Sequence, residues 1–175
     1  EHFRGVVDLV EMKAYVWPEK DDGEQGQQFE VTDVPAEMLE EARTWRGTML
    51  EAIAEYDDEF MDRYLKQENH DFSSAELKPL IRKSVLGAKI TPVLCGSSFR
   101  KKGVQPLLDS IVDYMPSPSD VKSISGLNPE SGELEERHPE DKEPFAALAF
   151  KIMSDPHVGK LTYFRVYSGV MKSGS

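Results

Sequence analysis

Small residues follow an apolar segment near the middle of the chain, and such a turn could bind a flat ligand. The run Ile90–Leu94 ends at Gly96, Ser97 and Ser98. Glycine and serine let backbone N–H groups approach a planar ligand that a bulkier side chain would keep away. The chemistry on offer is therefore hydrogen bonding from the main chain. A plain connection between two elements has the same spacing, so spacing alone leaves both interpretations open.

The elements on either side predict how this turn is positioned. The run Ile90–Leu94 predicts a buried strand, and residues after Gly103 predict a helix with one apolar face. In open α/β sheets, ligands bind at the carboxyl ends of the strands, where this turn would lie. The apolar face of the predicted helix comprises Val104, Leu107, Leu108, Ile111, Val112 and Met115.

The sequence before this unit predicts a small sheet. Alternating apolar residues within Gly5–Trp17 predict a pair of strands. A turn between Asp21 and Gly26 is predicted to lead into a returning strand that contains Phe29 and Val31.

Three helices are predicted between this sheet and the turn. The longest begins at Pro35, which suits a first helical turn because its missing N–H is not needed there. A short helix is predicted over residues 60–65, and a third is predicted to be capped by Ser73 or Ser74 and ended by Gly87. The longest helix carries a stripe that predicts packed core: Met38, Ala42, Trp45, Met49, Ile53 and Tyr56.

The last third of the chain has a different pattern. Residues 119–142 are polar and acidic with several glycines and prolines, which predicts a linker or an exposed hairpin. From Phe145 onward the alternation predicts two strands separated by a turn at Asp155–Gly159. The predicted fold class is therefore α/β, with an α+β part and a strand–turn–helix unit, followed by strands.

Composition narrows the classes of function. The chain has 175 residues, a formal net charge of −11 and one cysteine. A single Cys95 excludes an internal disulfide and fits the reducing cytoplasm. The four histidines are scattered without ligand spacing, and no apolar run approaches the length of a membrane span. We therefore expect no metal site, no membrane association and no DNA partner.

The charge is unevenly distributed along the chain. Residues 37–71 contain eleven acidic side chains against four basic ones, whereas every charged residue in 78–103 is basic. Two candidate partner-binding groups follow from this distribution. The acidic group on the longest predicted helix is Glu37, Glu40, Glu41, Glu51 and Glu55, and the basic group after the turn is Arg100, Lys101 and Lys102. A solvated surface is the plain alternative for both groups.

Three separated blocks of the sequence resemble one family. The first is Phe3–Leu9, the second runs from Cys95–Phe99 to Asp113–Pro118, and the third runs from Glu143–Met153 to Tyr163–Gly169. In this order they resemble the elongation factor G family of bacterial translational GTPases. The family usually has alanine where this chain has Ser98.

The resemblance implies a fold and a site. It implies that residues 1–88 form the insert of a GTPase domain and that residues 89–118 form its last strand, guanine-recognition turn and C-terminal helix. An acidic linker over 119–143 would lead to an incomplete β-barrel domain over 144–175. The nucleotide-binding residues would be Gly96, Ser97, Ser98 and Phe99, with the Ser98 N–H donating to the guanine carbonyl oxygen.

The resemblance also implies a function and partners. The longer protein would use GTP and Mg²⁺ to drive movement of tRNA and mRNA on the ribosome. The acidic group would meet the stalk protein of the large ribosomal subunit, and the basic group would meet ribosomal RNA. The chain contains no Gly-x-x-x-x-Gly-Lys-Ser/Thr loop and no Asn-Lys-x-Asp motif, so it should be catalytically silent alone and bind no nucleotide.

Two alternatives remain open. Tetracycline-protection and peptide-release GTPases share the fold and the guanine turn. A non-enzymatic docking module, in which acidic helices bind a basic partner, is the alternative from another class. A phosphate-binding loop upstream of Glu1 would distinguish an enzyme from a docking module.

Overall fold

The computed structural model describes residues 3–18, 28–67, 69–120 and 123–174. The predicted turn between Asp21 and Gly26 lies outside these residues. The chain divides into two compact units, Glu1–Met115 and Pro116–Ser175, hereafter the first and second units.

The first unit begins with a three-stranded antiparallel sheet. Its strands are β1 (Gly5–Asp8), β2 (Lys13–Val16) and β3 (Glu30–Asp33), in that spatial order. The predicted strand pair and the returning strand are therefore confirmed. Trp17 is buried directly after β2, where its ring packs against Phe29 with the ring centroids 5.3 Å apart.

Four helices follow, and local capping explains where most of them begin. They are α1 (Leu39–Ala54), α2 (Asp58–Lys66), α3 (Ser74–Leu86) and α4 (Val104–Tyr114). Pro35 precedes a 3₁₀ turn over Ala36–Met38, so the regular helix starts slightly later than predicted. Asp57 caps α2 by accepting a hydrogen bond from the Phe60 N–H at 2.9 Å.

The predicted caps of α3 are confirmed. The Ser73 hydroxyl accepts from the Glu76 N–H, and the Glu76 carboxylate accepts from the Ser73 N–H at 2.9 Å. Such a reciprocal pair satisfies two N–H groups that the helix itself leaves without partners. The pKa of Glu76 falls to about 2, because its carboxylate accepts hydrogen bonds from Ser73 and then from Arg63. Gly87 follows the last helical residue.

The core of the first unit lies between α1, α2 and α3. Its most deeply buried members are Leu50, Ile53, Phe60, Phe72 and Leu77, each no more than 2% exposed. Phe60 and Phe72 pack with their ring centroids 4.8 Å apart. This aromatic pair joins α2 to the segment that leads into α3.

The stripe predicted to be core on α1 is partly wrong. Ala42 and Ile53 are buried, but Trp45 is 57% exposed, and Met38 and Tyr56 are exposed as well. The buried face instead follows the i, i+4 ridge through Ala42, Arg46 and Leu50. An arginine in the middle of that ridge hides it from a search for apolar periodicity, which then selects the neighbouring large residues.

The predicted buried strand Ile90–Leu94 is also wrong. Residues 90–96 form no strand, and Val93 is 88% exposed. A strand requires a neighbour that accepts and donates its backbone hydrogen bonds, and no strand of the described residues lies beside this segment.

Helix α4 is confirmed, but its apolar face is open. Tyr114 is its only buried residue. The predicted inward residues Leu107, Leu108, Ile111, Val112 and Met115 are between 43% and 78% exposed. The C-terminal end of α4 is held by α3, because Arg82 donates to the carbonyl oxygens of Asp113 and Met115, both at 3.0 Å.

The second unit consists of antiparallel strands. Strands β4 (Ile124–Leu127) and β5 (Leu134–Arg137) form an exposed hairpin, which was one of the two structures predicted for the polar segment. Strands β6 (Ala146–Asp155) and β7 (Gly159–Ser168) form the predicted pair that follows it. The fold class is therefore as predicted, an α+β unit followed by antiparallel strands. In the part of the chain that the structure describes, no helix is long and apolar enough to cross a membrane.

Candidate functional site

The small-residue turn is a closed loop between the segment after α3 and the start of α4. Its base is the pair Ser97 and Lys102, joined by two backbone hydrogen bonds of 2.8 and 3.0 Å. Between them, Ser98–Arg100 form a 3₁₀ turn, and Lys101 adopts the left-handed conformation with a φ of 56°. Residues 97–102 are called the loop below.

Two glycines make the loop possible where the chain crosses itself. Gly103 is buried and has a φ of 84°. A Cβ on Gly103 would lie 3.0 Å from the Gly96 Cα, and one on Gly96 would lie 2.9 Å from the Lys102 carbonyl oxygen. The predicted role of small residues is therefore seen in this crossing of the backbone.

The four predicted nucleotide-binding residues lie together at the start of this loop. Ser98 and Phe99 are exposed, and Phe99 is 97% accessible. The Ser98 N–H has no hydrogen-bond acceptor among the described residues. It is therefore available as a donor to an external carbonyl group, and Ser97 is adjacent to it.

The basic group separates into two kinds of residue. Arg100 and Lys101 are exposed. Lys102 is half-buried, and its ammonium group donates to the Phe3 carbonyl oxygen at 3.1 Å. The three side chains are neighbours in sequence, but only Arg100 and Lys101 are fully displayed.

All five members of the acidic group are exposed on or beside α1. Glu40 pairs with Arg43 at 2.8 Å, and the Tyr64 hydroxyl donates to Glu51 at 3.4 Å. Burial, followed by the nearby Glu51 charge, raises the pKa of Tyr64. The sequence analysis missed that Trp45 is exposed on the same helix, so this surface contains an aromatic side chain as well as carboxylates. The acidic group together with Trp45 is called the acidic face.

Arg46 is a second residue whose role the sequence analysis missed. Its guanidinium donates to the carbonyl oxygens of Leu9 and Val10, after β1, and to that of Phe72, before α3. The contacts to Val10 and Phe72 measure 2.9 and 2.5 Å. Burial lowers the pKa of Arg46, and the charges of Asp71 and Asp8 oppose that effect. A single side chain therefore ties α1 to the sheet and to α3.

Within the residues that the structure describes, no group of three or more histidine, cysteine, aspartate or glutamate side chains could hold a metal ion. The chemistry of the candidate site is therefore hydrogen bonding by the loop and charge on the acidic face.

Comparison with known proteins shows that the chain is similar to part of a longer one. No protein-family model matches the sequence. The similar protein is the crystal structure of ttk003000868 from Thermus thermophilus, with a TM-score of 0.67 and 28% sequence identity. The match covers 98% of this chain and 22% of that one. The arrangement of elements seen here thus occurs as a segment of a larger protein.

Proposed function

We propose that this chain is a segment of a translational GTPase of the elongation factor G type. The observation that carries the proposal is the closed loop over residues 97–102, which presents the unpaired Ser98 N–H. The same residues form the middle of the three sequence blocks that resemble this family. The similarity to a segment of a longer protein is in agreement with that interpretation.

In this proposal the loop recognises the base and does no chemistry on the phosphates. The Ser98 N–H donates to the guanine carbonyl oxygen, Ser97 supports the base, and the exposed Phe99 borders it. GTP, GDP and Mg²⁺ are bound mainly by a phosphate-binding loop that this sequence does not contain. GTP hydrolysis and the movement of tRNA and mRNA therefore belong to the longer, cytoplasmic protein. Tetracycline-protection and peptide-release GTPases remain alternatives within the same class.

The proposal predicts how Ser98 variants behave. In the full-length protein, Ser98→Pro removes the N–H and should weaken GDP binding by about tenfold, the upper range for one hydrogen bond. Ser97 is non-helical, with φ −125° and ψ 87°, so it avoids the helical region that a following proline disfavours. Ser98→Ala keeps the N–H and should bind as the natural protein does. The measurement is calorimetric titration with GDP.

The isolated chain provides the control for this experiment. It should show no heat of binding with GTP or GDP, because the phosphate contacts are missing. A micromolar dissociation constant for the isolated chain would contradict the proposal. An unchanged preference for GTP over ATP in the Ser98→Pro protein would contradict the role given to the loop.

We also propose a docking function for the acidic face. The favouring observation is that its carboxylates and Trp45 are all exposed on or beside one helix. Clustered charge accelerates encounter with an oppositely charged partner more than it strengthens the final complex. The resemblance suggests the stalk protein of the large ribosomal subunit as that partner. Arg100 and Lys101 could likewise contact phosphates of ribosomal RNA.

Charge reversal tests the acidic face. Replacing Glu40, Glu41 and Glu51 together with lysine should slow stalk-stimulated GTP turnover in the full-length protein. The effect should be largest at low salt, because exposed charges are screened as ionic strength rises. A matched control replaces Glu130, Glu133 and Glu140 of the second unit with lysine, which changes the net charge equally. Equal turnover of the two triple variants across a salt series would leave α1 as scaffold alone.

A further inference from the structure

We infer that Lys102 is a positioning residue, which holds the guanine-recognition loop against the start of the sheet. This inference rests on the proposed function of the loop. Its basis is the contact between the Lys102 ammonium group and the Phe3 carbonyl oxygen, at 3.1 Å. The two residues are 99 positions apart in the sequence, so the contact joins distant parts of the first unit.

The loop needs such a contact because glycines stand at both of its ends. Gly96 and Gly103 flank residues 97–102, and glycine permits a wide range of backbone angles. The Ser97–Lys102 pair keeps the loop closed, but it lies entirely inside the loop and cannot fix the loop against the rest of the unit. Without an outside contact, the loop could tilt as a body about its two glycines.

Lys102 supplies that outside contact. Across the described part of the chain, its bond to Phe3 is the only hydrogen bond that leaves residues 97–102. The acceptor belongs to a well-anchored strand end, since the neighbouring Arg4 carbonyl oxygen accepts from the Trp17 N–H at 2.9 Å. Trp17 is itself only 2% exposed. The ammonium group thus ties a hinged loop to a fixed point.

The neighbouring lysine shows that this role is specific to one position. Lys101 is exposed and makes no side-chain contact within the described residues. The two lysines carry the same charge and are adjacent in sequence. A difference between their variants therefore reports on the contact with Phe3 and not on charge near the nucleotide.

The first experiment measures amide hydrogen exchange in the 175-residue chain. In Lys102→Met, the amides of Ser97 and Lys102 should exchange about fivefold faster, which corresponds to the loss of one typical hydrogen bond. Lys101→Met should exchange as the natural chain does, and Lys102→Arg, which retains a donor, should restore slow exchange. Exchange in Lys102→Met that equals that of the natural chain would overturn the inference.

The second experiment measures GDP dissociation from the full-length protein by stopped flow. Lys102→Met should release GDP about fivefold faster, by the same reasoning, while Lys101→Met should match the natural rate. An unchanged rate, in a protein where Ser98→Pro does weaken GDP binding, would overturn the positioning role. If Ser98→Pro has no effect, the proposed function fails, and the exchange experiment still decides whether Lys102 holds the loop.

Discussion

Replacing Arg46 with methionine should lower the free energy of unfolding of the first unit by about 2–4 kcal/mol, because three main-chain carbonyl groups lose a charged donor. The three acceptors are Leu9, Val10 and Phe72. Methionine retains much of the aliphatic volume, so the change mainly tests the hydrogen bonds. Urea unfolding followed by tryptophan fluorescence is a suitable measurement, since both tryptophans lie in the first unit.

Arg43 provides a matched control on the same helix. It lies one turn earlier, and its only ion pair among the described residues is with the exposed Glu40. Arg43→Met should therefore change stability by less than about 1 kcal/mol, as exposed ion pairs usually do. If the two variants unfold at the same urea concentration, the three carbonyl contacts of Arg46 do not stabilise the unit.

The elements that the sequence predicted well are those set by neighbouring residues. The strands around Trp17, the cap at Ser73 and the end of α3 at Gly87 depend on residue types within a few positions. These signals do not require knowledge of the rest of the fold. They were therefore readable from the sequence before any tertiary contact was known.

The errors concern features that depend on contacts across the chain. The inward face of α1 is decided by Arg46, whose acceptors lie 26 to 37 residues away. The apolar pattern instead selected Trp45, which is exposed. The run Ile90–Leu94 is apolar enough for a strand, but a strand also needs a neighbouring strand, and periodicity does not supply one.

The candidate site was predictable in part. Residue types placed a close-approach turn at Gly96–Ser98 because small residues are required there. They did not distinguish Lys102 from Lys101, since the two differ only in the direction of their side chains. The contact with Phe3 becomes visible only when the start and the middle of the chain are brought together.

Replacing Gly103 with alanine should destabilise the first unit by about 2–4 kcal/mol, through strain at positive φ together with steric overlap. Gly103 has a φ of 84°, and an added Cβ would lie 3.0 Å from the Gly96 Cα and 3.1 Å from the Cys95 carbonyl oxygen. All of these atoms belong to the backbone, so no side chain can move aside. Tryptophan fluorescence during urea unfolding again measures the change.

Gly47→Ala is the control for this substitution, because it adds the same methyl group where nothing lies within 4 Å. Gly47 is inside α1, where alanine is favoured over glycine, so this variant should gain roughly 0.5–1 kcal/mol. The two glycine variants should therefore change stability in opposite directions. A Gly103→Ala chain as stable as the natural one would mean that the loop can shift to accept a Cβ, and the close crossing of Gly96 and Gly103 would not be required for folding.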